Sequence, residues 1–366
     1  MSMWEKGISA YVGMGNSLET IYRYLELART YGYTRLFTSL HIPEANAAVI
    51  VNEFHQFVDH AVKLGYSITA DISPRACAML GAKLADFSAL KKLGLAAIRL
   101  DDGFSPEQIA GLSVTSGVDI EINASTMTPI TLQQIYAAQA DSTRIRACHN
   151  YYPRPETGLS FALFAERCQM LRDYQIPVLA FIPSRSCPRG PIFAGLPTLE
   201  KHRVFSPQLA AKEILASQLV DGVLFGDPLV SEEELASVAG LDPDCIELHV
   251  KVESDVSAAE REILFAAAHT NRTDPGEWVI RSQEARGLCQ TVIPVRSSML
   301  RPQGAVTIDN QDYLRYMGEM QIVRGALPAD SRVNVAAHVI PEELFLLDYI
   351  SPGGTFRLKE FIAHES

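Results

Sequence analysis

Asp101 and Glu121 stand near the ends of two short apolar runs, AIRLD at residues 97–101 and DIEIN at 119–123, a placement that makes both candidate catalytic carboxylates. Alternation at period two puts Ile98, Leu100, Ile120 and Ile122 on one face. Arg99, Asp101, Asp119, Glu121 and Asn123 fall on the other. In a parallel barrel the outer side of each strand packs on helices and is apolar, so the charged face looks inward, with Asp101, Glu121 and Asn123 near the C-terminal mouth. The same pattern accommodates a structural ion pair of Arg99 with Asp101 or Glu121.

Other strand ends carry polar groups too: His41, Asp71, Asp102, His149 and Asn150, Ser184 and Arg185, and Asp227. A ring of this kind is what a barrel active site requires. The loop HNYYPRPETGLS at 149–160 adds Tyr151 and Tyr152, whose rings can stack on a sugar face, and Glu156, while Pro153 and Pro155 stiffen it. A second long loop, from about 182 to 203, holds Arg185, Arg189, Lys201, His202 and Arg203. Local positive charge in an acidic chain points to a small anion such as a phosphorylated molecule, or else to solvated loop charges. His41, His149 and the acids never reach a tight ligand spacing such as H-x-H, so no metal and no cofactor is expected.

The elements needed to hold these residues repeat as strand, helix and glycine stop. Strands are expected at 7–11, 35–40, 67–72, 97–101, about 119–123, 144–149, 178–182 and 222–225, with helices such as 44–64, 161–174 and 207–219 between them. Eight strands over roughly 240 residues fit a (β/α)₈ barrel rather than an open doubly wound sheet. GMGN at 13–16 is no dinucleotide fingerprint. Beyond the turn-rich LDPD at 241–244 the rhythm changes to short β-like runs at 247–252, 290–294, 305–308, 319–323, 333–337 and 355–358, with helical pieces at 258–268 and 341–347. Residues 1–240 are thus expected to form the catalytic barrel and residues 245–366 a small β-rich domain. Its arginines Arg296, Arg301 and Arg315 are expected to include one that reaches the substrate.

Composition narrows the partners. A chain of 366 residues with a formal net charge of -11 does not suit a nucleic-acid backbone or an anionic membrane. Six cysteines without CxxC pairs read as reduced thiols, and no apolar run approaches a membrane span, which together point to the cytoplasm.

Five longer motifs go further: RLDDGF at 99–104, IEIN at 120–123, HNYYPRPETGL at 149–159, FGDP at 225–228 and TIDNQDYLRYMGEMQI at 307–322. Together they resemble a family once classed as a domain of unknown function and now associated with bacterial 6-phospho-N-acetylmuramidase. The resemblance covers nearly the whole chain and implies a TIM barrel followed by a cyclophilin-like domain. It also implies hydrolysis of the β-1,4 bond of 6-phospho-N-acetylmuramyl-N-acetylglucosamine in peptidoglycan recycling, or of another 6-phosphodisaccharide. Glycoside hydrolysis needs a protonated carboxyl group at the leaving oxygen and a second group at the anomeric carbon. Asp101 and Glu121 are the first choice, Asp227 and Glu156 are reserves, and Asn123 or Asn150 can orient the substrate's acetamido group. His149, Tyr152, Arg185, Arg189, Arg296 and Arg301 complete the expected substrate contacts. A barrel lyase or epimerase acting on a sugar phosphate would need a Schiff-base lysine or a metal cluster at a strand end. A non-catalytic sugar-phosphate-binding protein would hold ligand without turnover.

Overall fold

The computed structural model describes residues 4–40, 47–72, 80, 87–100, 103–296 and 298–362. His41, Asp101, Asp102 and the expected helical starts near Pro43 and Pro74 lie outside the described residues. The chain divides into two compact units, Met1–Gly240 and Leu241–Ser366.

Eight parallel strands close the first unit into a barrel: β1 (Glu5–Ser9), β2 (Arg35–Leu40), β3 (Ser67–Ile72), β4 (Ala97–Leu100), β5 (Asp119–Asn123), β6 (Ile145–Cys148), β7 (Val178–Ile182) and β8 (Gly222–Phe225). They pair in chain order, and β8 returns to β1 through Gly222 beside Glu5. Between and after them run α1 (Leu18–Thr30), α2 (Ala47–Lys63), α3 (Ser88–Leu93), α4 (Pro106–Thr115), α5 (Pro129–Ala137), α6 (Phe161–Asp173), α7 (Pro207–Ala216) and α8 (Glu232–Ala239). Ser17, Ser105, Thr128, Ser160, Ser206 and Ser231 each turn a side-chain oxygen onto the first helical turn, which fixes where the helices begin. The helix Pro106–Thr115 fills the helical stretch expected after the fourth strand, and Ser105 and Gln108 form a full capping box at its start.

Period-two alternation then decides what faces where. Ile8, Leu36, Ile68, Ile98, Ile120, Ile122 and Ala147 are buried on the wall side, and helical residues such as Phe54, Phe57 and Phe164 are buried as well. Burying each of these isoleucine, leucine and phenylalanine side chains contributes about 1.5–3 kcal/mol, and Ala147 less. The inner face carries Arg35, Arg99, Glu121 and Cys148, with an apolar cluster of Tyr11, Phe37, Cys148, Leu179, Phe181 and Leu224. Among the described residues no helix is long and apolar enough to cross a membrane.

The second unit is a seven-stranded, nearly closed mixed sheet in the order β10-β15-β9-β14-β12-β13-β11. Its strands are β9 (Cys245–Val252), β10 (His269–Thr270), β11 (Val279–Arg281), β12 (Ala305–Asp309), β13 (Met320–Val323), β14 (Val333–Val339) and β15 (Thr355–Glu360). β15 runs parallel to β9, while the remaining pairs are antiparallel. Two helices, α9 (Ala258–Leu264) and α10 (Ala285–Leu288), interrupt them. The run 290–294 is not a strand: Pro294 lacks an N–H to donate to a ladder, and Ile293 contributes its carbonyl to the Gln311 N–H as part of a loop. The short strands β10 and β11, one of them only two residues long, supply the edges instead.

Candidate active site

A row of alternating charge crosses four neighbouring strands. Asp71 stands in register beside Arg99, Arg99 beside Glu121, and Glu121 beside Arg146. Arg99 Nη1 lies 3.4 Å from Glu121 Oε1 and donates to the Cys148 carbonyl at 3.0 Å. Toward the start of the strands, Arg35 Nε and Arg146 Nη2 approach the Glu5 carboxylate at 3.0 and 3.1 Å. Burial and the neighbouring Arg146 lower the pKa of Arg35 against the pull of Glu5 and Glu121. Arg99 and Glu121 are only 3% and 1% exposed, so each buried charge offsets part of the desolvation of the other. This is the ion-pair arrangement that the alternation also allowed, and it turns Glu121 toward Arg99 inside the barrel.

A cavity of about 150 Å³ is lined, among the described residues, by Phe37, Asp71, Arg99, Asn150, Tyr151 and Phe181. Arg99 Nη2 donates to Asn150 Oδ1 at 2.5 Å. A guanidinium carries only donors, so the amide oxygen must face it and the Nδ2 hydrogens point away from it. The Asn150 backbone N–H is held by Ser125 Oγ at 2.9 Å. Phe37, Phe181 and Tyr151 pack edge to face, with ring centroids 5.1 to 6.1 Å apart, and fix the aromatic side of the cavity.

The other expected residues fall into two groups. His149, fully buried, meets Ser125 Oγ at 3.1 Å and Cys168 Sγ at 3.2 Å, and tilts against Phe164 of α6. Burial and Arg99 push its pKa down to about 3, so it is a neutral histidine in the wall of the barrel. Asp227, also fully buried, accepts the backbone N–H groups of Arg189, Ser184 and Leu196 at 2.8 to 3.0 Å. Burial raises its pKa and these three donors oppose the rise. Asp227 is therefore the clasp of the loop after β7. Gly226 next to it is required by close approach, since a Cβ there would lie 2.5 Å from the Leu196 carbonyl oxygen. Asn123 is buried and its Oδ1 accepts the Ser125 N–H at 2.9 Å, shaping the turn that also holds Asn150.

Glu156 and Tyr152 belong to a loop assembled by two charged residues that the expected contacts omit or misplace. Glu200 accepts the N–H groups of Glu156 and Gly158 at 2.8 and 2.7 Å. Arg203 grips Glu200 and donates to the carbonyls of Tyr152, Arg154, Ala194 and Gly195. The Arg203 contact, ahead of the two N–H groups, holds the Glu200 carboxyl at about 2. Arg203 thus links both mouth loops, Arg185 donates to the Arg203 carbonyl at 2.9 Å, and Lys201 pairs with buried Glu213. Arg189 stacks on Tyr11 and Tyr151. In the second unit Arg296 is engaged by Asp255, Glu260 and the Val335 carbonyl, and Arg301 by the Pro328 carbonyl. Both arginines have partners within their own unit.

Asp71 and Arg99 line the cavity and are absent from the expected catalytic residues and substrate contacts. The signal was present: Thr69 and Asp71 alternate with Ile68 and Ala70 just as Arg99 does with Ile98.

An eight-stranded parallel barrel whose mouth gathers a carboxylate, an amide, a guanidinium group and aromatic rings around one cavity has the layout of a barrel enzyme. Residues 6–240 match the family described as "6-phospho-N-acetylmuramidase, N-terminal", and residues 246–359 match "6-phospho-N-acetylmuramidase, C-terminal". The chain belongs to the 6-phospho-N-acetylmuramidase family and is a glycoside hydrolase. A crystal structure of an uncharacterized B. cereus protein is similar at 31% identity, covering 98% of this chain and 99% of that one, with a TM-score of 0.89. A crystal structure of a conserved Enterococcus faecalis protein of unknown function is similar at 35% identity over 97% of this chain and 96% of that one, with a TM-score of 0.75. No curated protein matches the chain.

Proposed function

We propose that the protein hydrolyses the β-1,4 bond of 6-phospho-N-acetylmuramyl-N-acetylglucosamine in the cytoplasmic recycling of cell-wall fragments. The observation that carries this reading is the match of both units, residues 6–240 and 246–359, to the two parts of one muramidase family. The mouth cavity supports it chemically. Asp71 lines the cavity and can serve the leaving oxygen or the anomeric carbon, with Asp101, two residues beyond Arg99 in sequence, as the second carboxyl group. An N-acetyl sugar can also use its own acetamido oxygen as nucleophile, in which case one protein acid and an orienting amide suffice. Asn150, with its oxygen tied to Arg99 and its Nδ2 hydrogens turned away, is suited to that orienting role. Phe37, Phe181 and Tyr151 offer apolar surface to a pyranose ring. Incubation of the protein with the 6-phosphorylated muramyl disaccharide should release N-acetylglucosamine, detected by chromatography. Binding without release would favour a sugar-phosphate-binding protein, and rearranged or eliminated products would favour a lyase or epimerase.

A further inference from the structure

We infer that Arg189 is the side chain through which the barrel mouth recognises the phosphate of its sugar, an inference that rests on the hydrolase reading above. The cations of the loop after β7 separate by what already occupies them. Arg203 is saturated by Glu200 and four carbonyls, Lys201 pairs with Glu213, and Arg185 is exposed and donates to the Arg203 carbonyl. Arg189 is different. Its guanidinium carbon lies 4.5 Å from the centre of the Tyr11 ring and 5.0 Å from that of Tyr151. Nη1 donates to Tyr151 Oη at 3.2 Å, while Nε is buried with no hydrogen-bond partner. Among the described residues Arg189 has no ion-pair partner.

Three features make this a prepared site rather than a stray charge. The Asp227 carboxylate holds the Arg189 backbone N–H at 2.8 Å and the same carboxylate fixes Ser184 and Leu196, so the base of the side chain is immobilised. The two tyrosine rings then confine the guanidinium plane. Tyr151 also lines the mouth cavity and stands edge to face with Phe181 at 5.1 Å, so the ring that carries the arginine is continuous with the surface that faces the sugar. Asp227 interacts with this guanidinium electrostatically without forming an ion pair with it, so an arriving anion adds the close compensation it lacks, and its planar fork matches two oxygens of one phosphate group.

The test is the ratio of kcat/KM for the 6-phosphorylated disaccharide to that for its unphosphorylated counterpart, measured for the unmodified protein, Arg189→Met and Arg189→Lys. Charge-assisted contacts predict that the ratio falls by about 10- to 100-fold in Arg189→Met and by less in Arg189→Lys, which keeps the charge and loses the fork. Equal losses on both substrates in Arg189→Met would overturn the assignment and leave Arg189 as a brace for the loop. Calorimetric titration with inorganic phosphate reads the site without turnover: binding by the unmodified protein should be lost in Arg189→Met, and undiminished binding overturns the proposal. If the unmodified protein cleaves neither disaccharide, the hydrolase reading fails and the phosphate titration alone decides this one. Should Arg189→Met not fold, the Arg189→Lys ratio and titration are judged by the same outcomes.

Discussion

Arg99 and Glu121 face each other from adjacent strands of the barrel with 3.4 Å between Nη1 and Oε1, and the other nitrogen of the same guanidinium holds Asn150 at 2.5 Å. One arginine therefore transmits the position of a buried acid to an amide on the cavity wall. Removing either end has separable consequences.

Glu121→Gln removes the buried carboxylate that Arg99 meets at 3.4 Å, and breaking a buried pair in this way is worth about 3–5 kcal/mol. Urea denaturation should show a loss of that order, and turnover should fall as Asn150 loses its anchor. Full stability combined with a 100-fold loss of kcat would instead make Glu121 a reacting group.

The separate fates of Glu121 and Asp71 mark how far the sequence is legible. Alternation in AIRLD and DIEIN shows which side chains point inward, because a strand repeats every two residues. It does not show depth along the barrel axis. Depth follows from strand register, which sets Glu121 between Arg99 and Arg146 and brings Asp71 to the cavity. Asp227 and His149 were hidden for another reason. Their partners, the N–H groups of Ser184, Arg189 and Leu196 for one and Ser125 and Cys168 for the other, lie 19 to 43 residues away and are joined only by the fold. The barrel itself was legible, since apolar alternation in the strands agrees with serine or threonine caps on six of the described helices and with glycines after several of them.

Arg203→Met should loosen both mouth loops together, because the side chain ties Glu200 to carbonyls on each of them. The expected result is a fall in kcat/KM by similar factors on phosphorylated and unphosphorylated disaccharides, with faster proteolysis near residues 150–158 and 185–195. A loss confined to the phosphorylated substrate would show that Arg203 reads the phosphate itself.

Asp309 of the second unit predicts a pH dependence. Burial, with Glu319 and Asp330 adding to it, lifts its pKa to about 7 against the opposing Arg301 and Arg281. The folded value lies above the unfolded value of about 3.9, so the native state holds a proton that the unfolded chain has released. This contribution to stability is complete below pH ~4 and is lost as pH rises toward 7, at up to about 1.4 kcal/mol per pH unit. Asp309→Asn should therefore be more stable than the unmodified protein at pH 8, with the gap closing by pH 4. A gap that stays constant from pH 4 to 8, in denaturation curves of the two proteins, contradicts the shift.

The most direct measurement is kcat of Asp71→Asn on 6-phospho-N-acetylmuramyl-N-acetylglucosamine, with the melting temperature taken on the same sample. Asp71 lines the cavity beside Arg99 and Asn150, and losing a group that transfers a proton or meets the anomeric carbon lowers turnover by a factor of about 100 or more. A drop of that size with the fold intact is the expected result. Turnover within a few-fold of the unmodified protein would contradict the placement of bond cleavage at this cavity.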